Sequence, residues 1–147
     1  MDFDRVQAEW VLGRFPKDQL PEVAAQAMVA GFEGPFILDL VGYAAPSLHR
    51  LTAAVVEGAF REMGRPPLTE LQAALRLARD VALRILAKQT SCVAGVDEIY
   101  CLVGRWEDAD RPLALRNFSE VFSLEDVDRP EGFDQRVVEL CRELLAE

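Results

Sequence analysis

The stretch "TELQAALRLARDVALRIL", residues 69–86, decides the fold class. Thr69 and Gln72 have the T-x-x-Q spacing of a capping box, in which each side chain satisfies a free N–H of the other residue. Behind them Leu71, Ala74, Leu75, Ala78, Val81, Ala82, Ile85 and Leu86 recur at i, i+3, i+4 and i+7. That period places them on one helical face. Arg76, Asp80 and Arg84 follow one another at i, i+4 on the outside, where opposite charges support a helix. A half-buried strand would alternate with period two, and no segment of the chain does so for long.

The same period recurs on both sides of this stretch. Asp2 can cap a short helix with Phe3, Val6 and Trp10 on one face, ending near Gly13. Pro21 stands where a helix begins and Gly31 where it would end. "GPFILDLVGYAAP", residues 34–46, reads as a short apolar helix between breakers. Ser47 is placed to cap residues 48–63, with Leu48, Leu51, Val55 and Ala59 in one stripe, until Gly64 and Pro66–Pro67 stop it. Gly58 lies inside that pattern. Either a neighbouring helix crosses closely there, or the glycine is on the surface. A further helix spans about Val93 to Val103. The last covers about 130–146, with Phe133, Val137, Leu140, Cys141 and Leu144 inward. The expectation is an all-α, compact, single-domain bundle of six to eight helices over residues 1–147, since linkers are short and low-complexity runs are absent.

The chain has 147 residues, half of them apolar, and a net charge of −9. Three well-separated cysteines argue for a reducing compartment rather than a disulfide framework. The N-terminal "MDFDRVQAEW" has acids where a signal peptide wants Lys or Arg. The longest uncharged stretches, 23–32 and 40–49, are too short for a membrane span. A soluble cytoplasmic protein is expected. Residues 1–91 hold 11 acids and 10 bases, while residues 92–147 hold 14 acids and 6 bases. This acidic excess argues against direct nucleic-acid binding and against an anionic membrane surface. It suits a basic protein partner.

Two hexapeptides concentrate the acids. "EDADRP", residues 107–112, and "EDVDRP", residues 125–130, agree at five of six positions. Calcium is excluded on spacing, because an EF-hand loop wants a glycine at position six and a glutamate at position twelve. Loops starting at Asp108 or Asp126 offer neither. A structural role fits one acid per copy: Asp110 before Arg111–Pro112, and Asp128 before Arg129–Pro130, have the order of an N-cap followed by a first-turn proline. That leaves Glu107, Asp108, Glu125 and Asp126, with Trp106 beside the first pair, as candidate partner-binding residues. The bland reading of the acids is a solvated turn, and of Trp106 the closed end of a core.

The chain holds no nucleophile elbow, P-loop, dinucleotide fingerprint or Glu-x-x-His pair. His49 is its one histidine. Cys92 and Cys101, nine residues apart, would face opposite sides of one helix. Cys101 and Cys141 read as small core residues. No metal site and no cofactor are expected. "ALRLARDVALRIL", "GVDEIYCLV", "FSEVFSLEDVDRP" and the closing "CRELLAE" make residues 69–147 resemble small bacterial helical proteins of unassigned function. The resemblance implies an immunity-like or accessory protein that binds a cognate protein, and it carries no functional residue across. The first expectation is therefore a non-enzymatic binding protein with an acidic C-terminal half. The alternatives are a small enzyme with carboxylates in an inter-helix cleft, and a homodimeric helical scaffold.

Overall fold

The computed structural model describes residues 1–43, 48, 50–122 and 131–147. It divides into two compact units, residues 1–73 and 74–147. All regular structure among the described residues is helical.

In the first unit α1 spans Phe3–Val11, and the Asp2 carboxylate accepts from the Arg5 N–H at 3.1 Å. Phe3 and Val6 face inward and Trp10 is half-buried. A short 3-10 turn, Lys17–Gln19, leads into α2, Leu20–Val29, with Pro21 in the first turn. Gly31 closes it with φ of +97°, the left-handed region that glycine enters without a Cβ penalty. Then come α3, Pro35–Val41, and α4, Ala53–Glu62, and α3 packs against both α2 and α4. Ser47 lies outside the described residues, and α4 starts later than its capping role required. Thr52 is extended (φ −98°, ψ 153°) at the N-cap position, and Leu51 is buried ahead of the helix rather than within it.

The start of α3 is held from a distance. Pro35 has no N–H to satisfy. The next two amides donate to the Glu62 carboxylate in the last turn of α4: Phe36 N–H at 2.8 and 3.1 Å, and Ile37 N–H at 2.9 Å. A carboxylate there also meets the positive end of the helix. Gly58 is buried, and a Cβ on it would lie 2.5 Å from the Phe36 ring. Of the two readings of this glycine, the close helix crossing is the one observed.

In the second unit α5, Glu70–Leu86, has the reciprocal cap at its start, just inside the first unit. The Thr69 hydroxyl accepts from Gln72 N–H at 3.1 Å, and the Gln72 side-chain oxygen accepts from Thr69 N–H at 2.9 Å. Ala74, Ala78, Val81, Ala82 and Ile85 are buried as the period requires. Leu77 joins them, while Leu71, Leu75 and Leu86 reach only half burial, so the stripe is rotated slightly from the expected one. α6, Cys92–Val103, is capped by the Ser91 hydroxyl, which accepts from Ala94 N–H at 3.1 Å. α5 and α6 meet where Ile85 covers Gly95: a Cβ at Gly95 would overlap the Ile85 Cγ1 and Cδ1 atoms. Next to this contact Arg84 reaches Glu98 at 2.6 Å.

Two short helices, α7 (Leu113–Asn117) and α8 (Ser119–Phe122), precede α9, Phe133–Ala146. α9 packs on α6 and α7, and α8 packs on α6. Phe133, Val137, Leu140, Cys141 and Leu144 are buried, as their spacing predicts. Among the described residues no helix is long and apolar enough to cross a membrane.

Truncating Ile85 to alanine should cost about 2–4 kcal/mol, because it empties a filled site between two helices. Gly95→Ala alone should also destabilise, by about 1–3 kcal/mol, through overpacking. In the Ile85→Ala background the same glycine substitution should become neutral or favourable, since the new methyl enters the vacated space. Urea unfolding of the four proteins gives the cycle, and strictly additive losses would show that the two residues do not share this site.

Candidate functional site

The first hexapeptide is a held turn between α6 and α7. Gly104 ends α6 with its N–H on the Tyr100 carbonyl at 2.7 Å. The backbone then makes a 3-10 turn at Asp108–Asp110, in which the Asp110 N–H donates to the Glu107 carbonyl at 2.9 Å. Two arginines fix this loop from different directions. Arg111 is buried, its Nη2 lies 3.5 Å from the Gly104 carbonyl, and its guanidinium stands 6.0 Å from the Phe122 ring centre. Arg116, one turn into α7, donates from Nε to the Arg111 carbonyl at 2.7 Å and from Nη2 to the Ala109 carbonyl at 3.1 Å. Both guanidiniums thus hold backbone carbonyls of the loop.

Asp110 does not occupy the N-cap position expected of it. The N-cap of α7 is Pro112 (φ −54°, ψ 149°), and no side chain of the turn caps the helix locally. The Ala114 N–H instead points at the Glu147 carboxylate, 3.4 Å away at the end of α9. The proline thus sits one residue outside the helix, directly after the buried Arg111. Asp128, Glu125 and Asp126 of the second hexapeptide lie outside the described residues, as does His49. α9 itself begins at Phe133, with Gly132 at its N-cap position.

Glu107 and Asp110 are exposed, and neither forms an ion pair among the described residues. Trp106 is half-buried, and the Arg105 guanidinium lies 4.2 Å from its ring centre, within cation–π range. A second polar cluster lies on α8 and α9. Arg136 bonds Glu120 through Nη2 at 2.5 Å and through Nε at 2.9 Å, and its Nη1 is 3.3 Å from Glu139 and 3.6 Å from Glu143. Asn117 donates to Glu143 at 3.1 Å. One arginine here faces three carboxylates, so the cluster keeps a negative balance. The i, i+3 spacing from Arg136 to Glu139 is visible in the chain; the link to Glu120 is not.

The acidic excess is more local than a division at residue 91 suggests. By compact unit, residues 1–73 hold 10 acids and 6 bases, and residues 74–147 hold 15 acids and 10 bases. Within the second unit the stretch 74–105 has 3 acids and 5 bases, and 106–147 has 12 acids and 5 bases. The second unit is therefore polarised along the chain: its bases divide equally between the two stretches, and its acids concentrate from Trp106 onward.

The buried polar side chains among the residues whose burial is described are Gln7 and Arg111. No group of His, Cys, Asp and Glu among them could hold a metal ion. The three thiols are free. Cys141 is a core residue as expected, and burial, reinforced by the Cys92 charge, pushes its thiol up to about 12. Cys101 is exposed, not a core residue, because α6 turns Val96, Ile99, Leu102 and Val103 inward and leaves position 101 outside. No family model matches the chain, and comparison with curated proteins and with solved structures found no match.

Replacing Arg116 by methionine should loosen the acidic turn without unfolding the chain. Exchange of the Asp110 amide should accelerate on the order of tenfold, the equivalent of one charge-assisted hydrogen bond. Helix content by circular dichroism should stay the same. Unchanged exchange at Asp110 would mean that the arginine does not hold the turn.

The thiols should separate by accessibility. At pH 8 alkylation should label Cys101 first, Cys92 more slowly and Cys141 only on unfolding. Between pH 9 and about 12 the unfolded chain loses the Cys141 proton while the native state keeps it, so stability should fall as pH rises through that window. Peptide mapping after timed alkylation and urea midpoints across this range check both.

Proposed function

We propose that the protein is a non-enzymatic binding protein, immunity-like or accessory, that presents the acidic surface of residues 106–147 to a basic protein partner. The observation that carries this reading is the use of arginine in the 104–112 turn. Arg111 and Arg116 hold carbonyls of the turn, while Glu107 and Asp110 are exposed and form no ion pair among the described residues. A fixed turn loses little conformational freedom on binding. The polarisation within residues 74–147 and the acidic balance around Arg136 support the same partner chemistry. Trp106, at the edge of the turn, supplies the aromatic anchor such an interface uses. The resemblance to small helical immunity or accessory proteins points the same way.

Affinity capture from native lysate at low salt, followed by elution with salt, tests this reading. The retained partner should be basic, and its association should slow as salt rises, because steering charges are screened beyond ~8 Å at physiological ionic strength. Glu107→Ser, Asp108→Ser, Glu125→Ser and Asp126→Ser together should weaken binding at least about tenfold and leave unfolding nearly unchanged, since exposed charges contribute little to stability. Equal retention of the same partner by the folded quadruple variant would sink the acidic-surface reading.

A further inference from the structure

The turn from α5 to α6 borders a cleft. Lys88 adopts the left-handed conformation there, φ +57°, and closes the end of α5. The cleft has a volume of about 760 Å³ and lies between the end of α5, this turn, the first turn of α6 and one stripe of α9. That volume falls in the range of small-molecule sites, about 300–1,000 Å³. Ile85, Val93 and Val138 give it aliphatic walls, and Lys88 and Arg142 give it positive charge. Asp134, Val138 and Arg142 share the α9 stripe by their spacing of four.

These two cations stand apart among the described bases of the second unit. Arg84 and Arg136 hold carboxylates, and Arg79, Arg111 and Arg116 hold backbone oxygens. Arg105 lies on Trp106, and Arg76 also has a partner. The side chains of Lys88 and Arg142 form no hydrogen bond or ion pair among the described residues, yet both line this cleft. In a chain with nine more negative than positive charges, carboxylates to neutralise them were abundant. Asp134 is in the same lining and pairs with neither; its backbone oxygen lies 3.9 Å from the Cys92 Sγ. Burial, and then the Asp134 charge and hydrogen bond, raise the Cys92 thiol, which lines the same cleft.

We propose that this cleft binds a small organic anion with an aliphatic body, a carboxylate or phosphate ester whose head group meets Arg142 and Lys88 and whose chain lies along Ile85, Val93 and Val138. Arginine offers a planar donor fork that fits both head groups, and lysine adds a point charge. An aliphatic alcohol of the same length would bury the same chain without engaging either cation. An amine would meet two cations against the single carboxylate of Asp134, a net repulsion.

Calorimetric titration of the full chain with octanoate, octyl phosphate, octanol and octylamine, at constant ionic strength, tests the proposal. At least one anion should saturate with a Kd about tenfold or more below that of octanol, octylamine should show no binding, and the tighter of the two anions identifies the head group. The bound anion should slow alkylation of Cys92 while leaving Cys101 unchanged. Lys88→Gln with Arg142→Gln should weaken the anion about tenfold with the same thermal midpoint, since neither side chain supports the fold through a bond. Octanol binding as tightly as either anion, no saturation by both anions up to about 1 mM, or full affinity in the double variant would each overturn it.

Discussion

The side chain of Ile85 resting on the bare backbone of Gly95 is the contact on which the second unit depends. It sets how closely α6 can approach α5, and any side chain at position 95 would hold the two helices apart. That approach brings Arg84 within reach of Glu98 and draws the five residues between the helices into a tight turn. The cleft beside Lys88 and the acidic loop after Gly104 lie at the two ends of α6, so both inherit their positions from one small residue. A glycine inside a helix costs about 1 kcal/mol in propensity, and here the buried isoleucine offsets it.

The first unit uses a different device for the same problem. α3 has seven residues, too few to be stable by its own hydrogen bonds. Its exposed N–H groups are taken by Glu62, and its Phe36 ring occupies the space that Gly58 leaves open. Polar and apolar contacts thus act on the same pair of helices, one at the end of α4 and one in its middle. Ile37 and Leu40, both buried in the core of this unit, anchor the same helix.

Arginine is used differently at the two acidic clusters of the second unit. On α8 and α9 it gathers carboxylates, in exposed geometry where an ion pair adds little stability. Around the first hexapeptide it holds carbonyls instead, which shapes the loop, and Glu107 and Asp110 form no ion pair among the described residues. Surface charge near Trp106 is thus a consequence of how the loop is built. Lys88 and Arg142 follow neither pattern: among the described residues they form no ion pair, and they line the same cleft.

Several features could be read from the chain because they rest on residues three or four apart. The Thr69–Gln72 box, the Asp2 cap, the α9 stripe from Phe133 to Leu144 and the end of α2 at Gly31 are of this kind. A helix brings such residues together whatever surrounds it, so their geometry follows from spacing. The all-α class follows from the same rule repeated along the chain. The tertiary structure decided the rest. Glu62 caps a helix 26 residues upstream, Glu147 stands before α7, Arg111 turns inward so that Asp110 is not a cap, and Cys101 faces out although its neighbours are apolar. Each of these depends on which surface a neighbouring helix covers. That is set by packing many side chains at once, and the chemistry of a single residue or its spacing to the next does not encode it.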